Sequence, residues 1–177
     1  MHDRARRGSD RRQPSKREGA GQTGKIDRGE TTQDDYVGTV HGGDGAQEPQ
    51  PARLSDFFEK LGSCGAYPEY LRSLILRWDT PTGKKLNLGY FKKNGEVWTD
   101  AINWGLPHHL SHAYIEDLAE VFGAEVDKTS FNDGNWHVRM DGAMPRIEQI
   151  MDKFDGWYTA IEKFVVTLQE HYSGAND

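Results

Sequence analysis

From Pro51 onward the apolar residues recur first with helical spacing. In ARLSDFFEKLGSCG, Leu54, Phe57, Phe58 and Leu61 line one side, Ser55 with Asp56 suits a helix start, and Gly62 suits its stop. In YPEYLRSLILRWDTPTG, Leu71, Leu74, Ile75 and Trp78 keep that spacing, Pro68 fits a first turn, and Thr80-Pro81 breaks the run. Two short helices in tandem are expected.

The middle of the chain changes period. KKLNLGYFKKNGEVWTDAIN contains Asn94-Gly95, the dipeptide that best tolerates the two positive φ angles of a two-residue hairpin loop. Counting outward from that loop sets Lys93 opposite Glu96, Phe91 opposite Trp98, Tyr90 opposite Thr99 and Gly89 opposite Asp100. A helix follows, begun by Pro107 and ended by Gly123, with Leu110, Tyr114, Leu118, Val121 and Phe122 as its apolar stripe. TSFNDGNWHVRM then suggests a second hairpin around Asp133-Gly134, which would set Phe131 opposite Trp136, Ser130 opposite His137 and Thr129 opposite Val138.

The clearest pattern comes last. Between Pro145 and Tyr172, Ile147, Phe154, Ile161 and Leu168 repeat every seven residues, joined by Ile150, Trp157 and Phe164 and flanked by Met151, Tyr158, Val165 and Tyr172. That stripe is too broad for a coiled-coil seam and suits packing on a sheet. The phase runs through Gly156, so a single long helix is expected. The predicted class is α+β: two short helices, then two hairpin-plus-helix units whose strands form a small antiparallel sheet packed by the long C-terminal helix.

Composition restricts this fold to part of the chain. Tyr36 is the only Tyr before Pro51, where there is no Leu, Phe or Trp, while all five Trp and all seven Phe lie beyond it. The first stretch therefore lacks the apolar surface to offset the entropy of ordering. A disordered arm over 1–52, one domain over 53–173 and a short disordered tail over 174–177 are expected. Nine of the 22 Lys and Arg and nine of the 28 Asp and Glu precede Pro51, which leaves 13 against 19 and a net −6 in the remainder. The arm is neutral overall, but Arg4, Arg6, Arg7, Arg11 and Arg12 make its beginning basic. With one cysteine, Cys64, no internal disulfide forms. No apolar run reaches the roughly 20 residues of a membrane helix, and no apolar stretch follows the paired arginines, so a cytoplasmic protein that does not enter membranes is expected.

Few residues point to chemistry. His108, His112 and Glu116 are spaced four apart, so they stack on one helix face as two imidazoles and a carboxylate would around zinc or another divalent transition ion. The same spacing describes the solvated face of an amphipathic helix, which is the favoured reading, and no cofactor is expected. Asp100, placed among rings in the hairpin register, is a candidate acid or base. Ser130 and His137 would face each other but lack an orienting carboxylate. Lys92 and Lys93 interleave with Tyr90, Phe91 and Trp98, a mixture that can stack bases and hold phosphates, although the negative domain opposes nucleic-acid affinity.

No complete catalytic set assembles. The expected function is a non-enzymatic binding or accessory module that associates with another protein or a second copy of itself, with nucleic-acid contact through the arginine-rich arm and the first hairpin as a further possibility. The alternative is a metal-dependent hydrolase or nuclease in which His108, His112 and Glu116 hold the ion and Asp100 activates water.

Overall fold

A computed structural model describes residues 50–129 and 134–174. The arm arginines Arg4, Arg6, Arg7, Arg11 and Arg12, and Ser130, Phe131 and Asp133 of the second expected hairpin, lie outside these. The architecture is α+β, built on a four-stranded antiparallel sheet and a long C-terminal helix. Helix α1, Gln50–Leu61, buries Leu54, Phe57, Phe58 and Leu61, the stripe that its spacing predicts. A 3-10 turn over Gly62–Cys64 follows, and Gly65, at φ 78°, turns the chain out of it.

The second predicted helix is a hairpin. Strand β1, Ala66–Tyr70, pairs antiparallel with β2, Leu74–Asp79. Leu74, Leu76 and Trp78 are buried and alternate with Ile75, Arg77 and Asp79, a period of two that coexists in these residues with the helical spacing. Pro68 sits in β1, the edge strand, where a missing N–H is tolerated.

Strand β3, Lys85–Phe91, pairs with β2 and with the two-residue β4, Val97–Trp98. The β3–β4 register differs by one residue from expectation: Phe91 opposes Val97 and Tyr90 opposes Trp98. The loop holds three residues, with Gly95 at φ 83° as its left-handed member and Lys92 N–H bonded to Glu96 O at 2.9 Å. Asn94 has no positive φ, and the two-residue turn that would need one does not form. The shift places Phe91 in the core and leaves Trp98 half-exposed on the other face.

A 3-10 turn over Asp100–Trp104 leads to α2, His108–Phe122, bounded by Pro107 and Gly123 as expected. Strands β5, Glu125–Asp127, and β6, His137–Arg139, form a separate ribbon instead of joining the first sheet. Their register sets Val126 against Val138 and Asp127 against His137, so neither Thr129 nor Ser130 takes those places. The expected long helix is interrupted near its start: α3, Ile147–Ile150, passes through a 3-10 turn, Met151–Lys153, into α4, Phe154–Gly174. The first turn is tied to the β3–β4 hairpin by Ile147 N–H to Gly95 O at 2.9 Å and by Val97 N–H to Pro145 O at 2.7 Å. Gly156 does not break α4. A Cβ there would lie 2.8 Å from Val121 Cγ1, so glycine permits α2 and α4 to approach.

The three longer helices pack on the inner face of the four-stranded sheet around Trp157, which is fully buried. Its Nε1 donates to Tyr114 Oη at 3.2 Å, and Tyr114 Oη donates to Leu88 O at 2.9 Å. Leu88 is the extra residue of a bulge, since Leu76 pairs with Gly89 and Arg77 with Asn87, so Leu88 has no opposite residue on β2. Among the described residues no helix is long and apolar enough to cross a membrane.

Replacing Tyr114 by Phe removes the partner of Trp157 Nε1 and the donor to Leu88 O inside the core. Chemical denaturation is expected to show a loss of about 1–3 kcal/mol, the cost of stranded buried polar groups, with the midpoint moving and the slope unchanged.

Candidate functional site

Alternation sends every second residue of the sheet away from the helices. The outer face therefore carries Glu69, Ile75, Tyr90 and Trp98 in one row across β1 to β4, with Tyr67, Arg77 and Asn87 in a second row across three strands. All seven are partly exposed. Tyr90 and Trp98 stack at 6.1 Å with planes 22° apart, Lys92 Nζ sits 3.6 Å from the Trp98 ring centroid, and Trp98 Nε1 donates to Glu96 Oε2 at 2.9 Å. Glu69 accepts from Arg77 at 2.7 Å and from Lys85 at 2.8 Å, and the two cations hold its carboxyl below the usual range. Tyr67 Oη donates to Asp79 at 2.7 Å.

Of the sequence-predicted binding residues, the structure thus brings together Tyr90, Trp98 and Lys92. Lys93 is exposed in the loop. Phe91 is a core residue, 1 % exposed, and leaves the set because the one-residue register shift turns it inward.

The histidine face of α2 is engaged in packing. The His112 ring lies parallel to Trp136 at 3.7 Å and 2°, and its Nε2 is 3.0 Å from Gly134 O. His108 is exposed and stands against Gly134, where a Cβ would approach its Cε1 to 2.3 Å. Glu116 faces Lys128 at 3.4 Å, and Lys128 Nζ lies 3.9 Å from the Trp136 ring centroid. The His108 and His112 rings remain neighbours, 5.1 Å apart and tilted by 39°, while Glu116 turns to Lys128 and does not join them. Among the described residues no group of three His, Cys, Asp or Glu side chains is placed to hold a metal ion.

Asp100 is not in a strand. It begins the 3-10 turn after β4 and is buried with Thr99, Asn103 and His137 in a polar joint between the first sheet and the ribbon. Val138 N–H donates to Thr99 Oγ1 at 3.1 Å, and Asn103 Nδ2 donates to Trp136 O at 2.8 Å. Burial raises the Asp100 carboxyl above the usual aspartate range, against the pull of nearby backbone amides, the Tyr90 hydroxyl and His137. Burial likewise raises the Tyr90 hydroxyl, reinforced by Asp100, and lowers His137 below the usual imidazole range. On the ribbon, Asp127 pairs with Arg139 at 2.7 Å, and Arg139 Nε lies 3.1 Å from His137 Nε2.

Sequence reasoning singled out Asp100 but missed Thr99, Asn103, Asp127 and Arg139 as its company, and it assigned His137 a different neighbour. The spacing of Asp100 and Asn103 by three was a usable signal, because i and i+3 eclipse in a 3-10 turn. The ribbon's contribution came from a register that the turn residues did not reveal. Two open clefts of about 440 Å³ lie elsewhere, one between α1 and the start of α4 near Arg53, Asp56 and Asp155, the other between α2 and α4 near Glu120 and Thr159. No protein-family model, curated protein or solved structure matches the chain.

If His112 works by stacking, His112→Ala should lower stability by about 0.5–1.5 kcal/mol, the worth of an aromatic pair, and alter Trp136 fluorescence. Glu116→Gln should stay within about 0.5 kcal/mol. Were the two side chains ligands of one ion, both substitutions and a chelator would depress the melting temperature together.

Proposed function

We propose that the protein is a non-enzymatic binding module that acts through association with protein, using the outer face of the β1–β4 sheet. The observation that carries this reading is the row of Ile75, Tyr90 and Trp98 running side by side across three strands and remaining half-exposed while the helices cover the other face. Rigid aromatic side chains with a polar handle supply contact area at little entropic cost. Trp104, at the end of the 3-10 turn, is also 68 % exposed.

Charge favours protein over nucleic acid as the partner. Arg77, Lys85 and Lys92 on this face are matched by Glu69, Asp79 and Glu96, and each of the three cations is already in an ion pair. A balanced face offers phosphates little, since their binding depends on uncompensated positive charge. It is also where two copies of an acidic domain approach with least repulsion, so a second copy of the chain is the partner that this face suits best. The stack of Tyr90 and Trp98 beside Lys92 supports a second reading, single-stranded nucleic acid, for which Arg4, Arg6, Arg7, Arg11 and Arg12 would supply the missing charge. Nothing in the placement of His108, His112 and Glu116 supports the metal-dependent hydrolase.

Sedimentation equilibrium of the full chain over a wide concentration range is expected to show reversible self-association, weakened roughly tenfold or more by Trp98→Ser, as for a central aromatic anchor. A wild-type mass independent of concentration would remove the self-association reading. Salt-sensitive anisotropy with a labelled single-stranded oligonucleotide would then favour the second.

A further inference from the structure

Two buried side-chain oxygens among the described residues have no hydrogen-bond donor: Asp100 Oδ1 and Asn103 Oδ1. Their residues are 7 % and 6 % exposed. The orientation of the Asn103 amide is settled by its other end, since Nδ2 donates to two carbonyls, Asp100 O and Trp136 O, each at 2.8 Å. Turning the amide over would set its oxygen against both of them. Asp100 and Asn103 stand three apart in a 3-10 turn, where side chains eclipse, and the Asn103 side chain folds back onto Asp100. While the carboxyl is ionised both oxygens are acceptors, so neither can satisfy the other. A single proton on Oδ1 turns one of them into a donor and partners both.

We infer that Asp100 holds a proton in the folded protein and donates it to Asn103 Oδ1, which makes the joint between the β1–β4 sheet and the β5–β6 ribbon sensitive to pH. The proton is taken from solvent as the joint closes. Each neighbouring element contributes known groups. Tyr90 from β3 brings its hydroxyl to the carboxyl. His137 from β6 is fully buried. Asp127 of β5 and Arg139 of β6 pair with each other at 2.7 Å. Glu96, just before β4, bears on Tyr90, and His112 of α2 engages Trp136 and Gly134.

Burial holds His137 below its usual range and raises Asp100 above its own. The linkage has a definite sign. A carboxyl raised in the fold contributes stability that is present below the unfolded aspartate value of about 3.9 and is lost as pH rises through the folded value. The inference is independent of any partner for the outer face, because its readouts are the protein's own titration and melting.

The deciding experiment follows the Asp100 side-chain carboxyl by carbon-13 NMR in the full chain, with thermal melts of wild type and Asp100→Asn over the same pH range. The variant places an amide N–H where the proton is inferred. The Asp100 midpoint should lie above the ordinary aspartate range, and the melting temperature of Asp100→Asn should gain on wild type as pH rises from the acid end. A midpoint at or below the ordinary range, or a difference between the two proteins that does not change with pH, would overturn the inference.

Discussion

The Trp157 indole is the point at which every layer of the fold meets. Its ring packs against Phe57 of α1, Phe91 of β3, Phe122 of α2 and Phe154 of its own helix, at centroid distances of 5.2 to 6.4 Å. Its N–H begins a polar thread through the core, by way of Tyr114 Oη to the Leu88 carbonyl. The sheet bends to receive it. Gly89 adopts φ 148°, and a Cβ there would come within 3.0 Å of Trp157 Cζ2. The bulge at Leu88 and the glycine after it are thus two sides of one constraint: β3 must pass a large ring closely and still offer a carbonyl.

That arrangement consumes the inner face of the sheet and sets what remains outside. Leu86, Leu88, Phe91 and Val97 turn toward the helices, so Tyr90 and Trp98 turn away from them. The aromatic row proposed as a contact surface follows from core packing together with a three-residue loop. Strand β4 is short, and the chain folds directly into the 3-10 turn that carries Asp100 and Asn103 into the interior. Tyr90 bears on both regions, its ring on the outer face and its hydroxyl at Asp100.

The sites were legible to different degrees. Tyr90, Trp98 and Lys92 could be grouped from their spacing because they are close in sequence, and a hairpin keeps close residues close. Asp100 could be flagged as a candidate acid or base from its place beside the hairpin, but its burial with Thr99, Asn103 and His137 is a product of the fold. His137 reaches it from β6, more than thirty residues away, and no local pattern encodes that distance. The histidines of α2 illustrate the converse. Their spacing is right for a shared ion, but Trp136 and Lys128 come from the far ribbon and draw His112 and Glu116 into other contacts.

By itself the sequence determined the class and the apolar stripes of α1, α2 and most of α4, but it placed the start of α1 at Ser55, whereas the helix begins at Gln50 and Ser55 lies inside it. It also determined that the apolar core lies beyond Pro51, since all the Phe and Trp are there. Only the tertiary structure decided between helix and hairpin for 66–79, where Leu74, Ile75 and Trp78 satisfy one period and Leu74, Leu76 and Trp78 the other. Pairing with β3 gave the strand its hydrogen bonds and settled the choice. The hairpin register was decided in the same way. A shift of one residue exchanges the faces, and burying Phe91 against Trp157 while leaving Trp98 outside is what the core could accept.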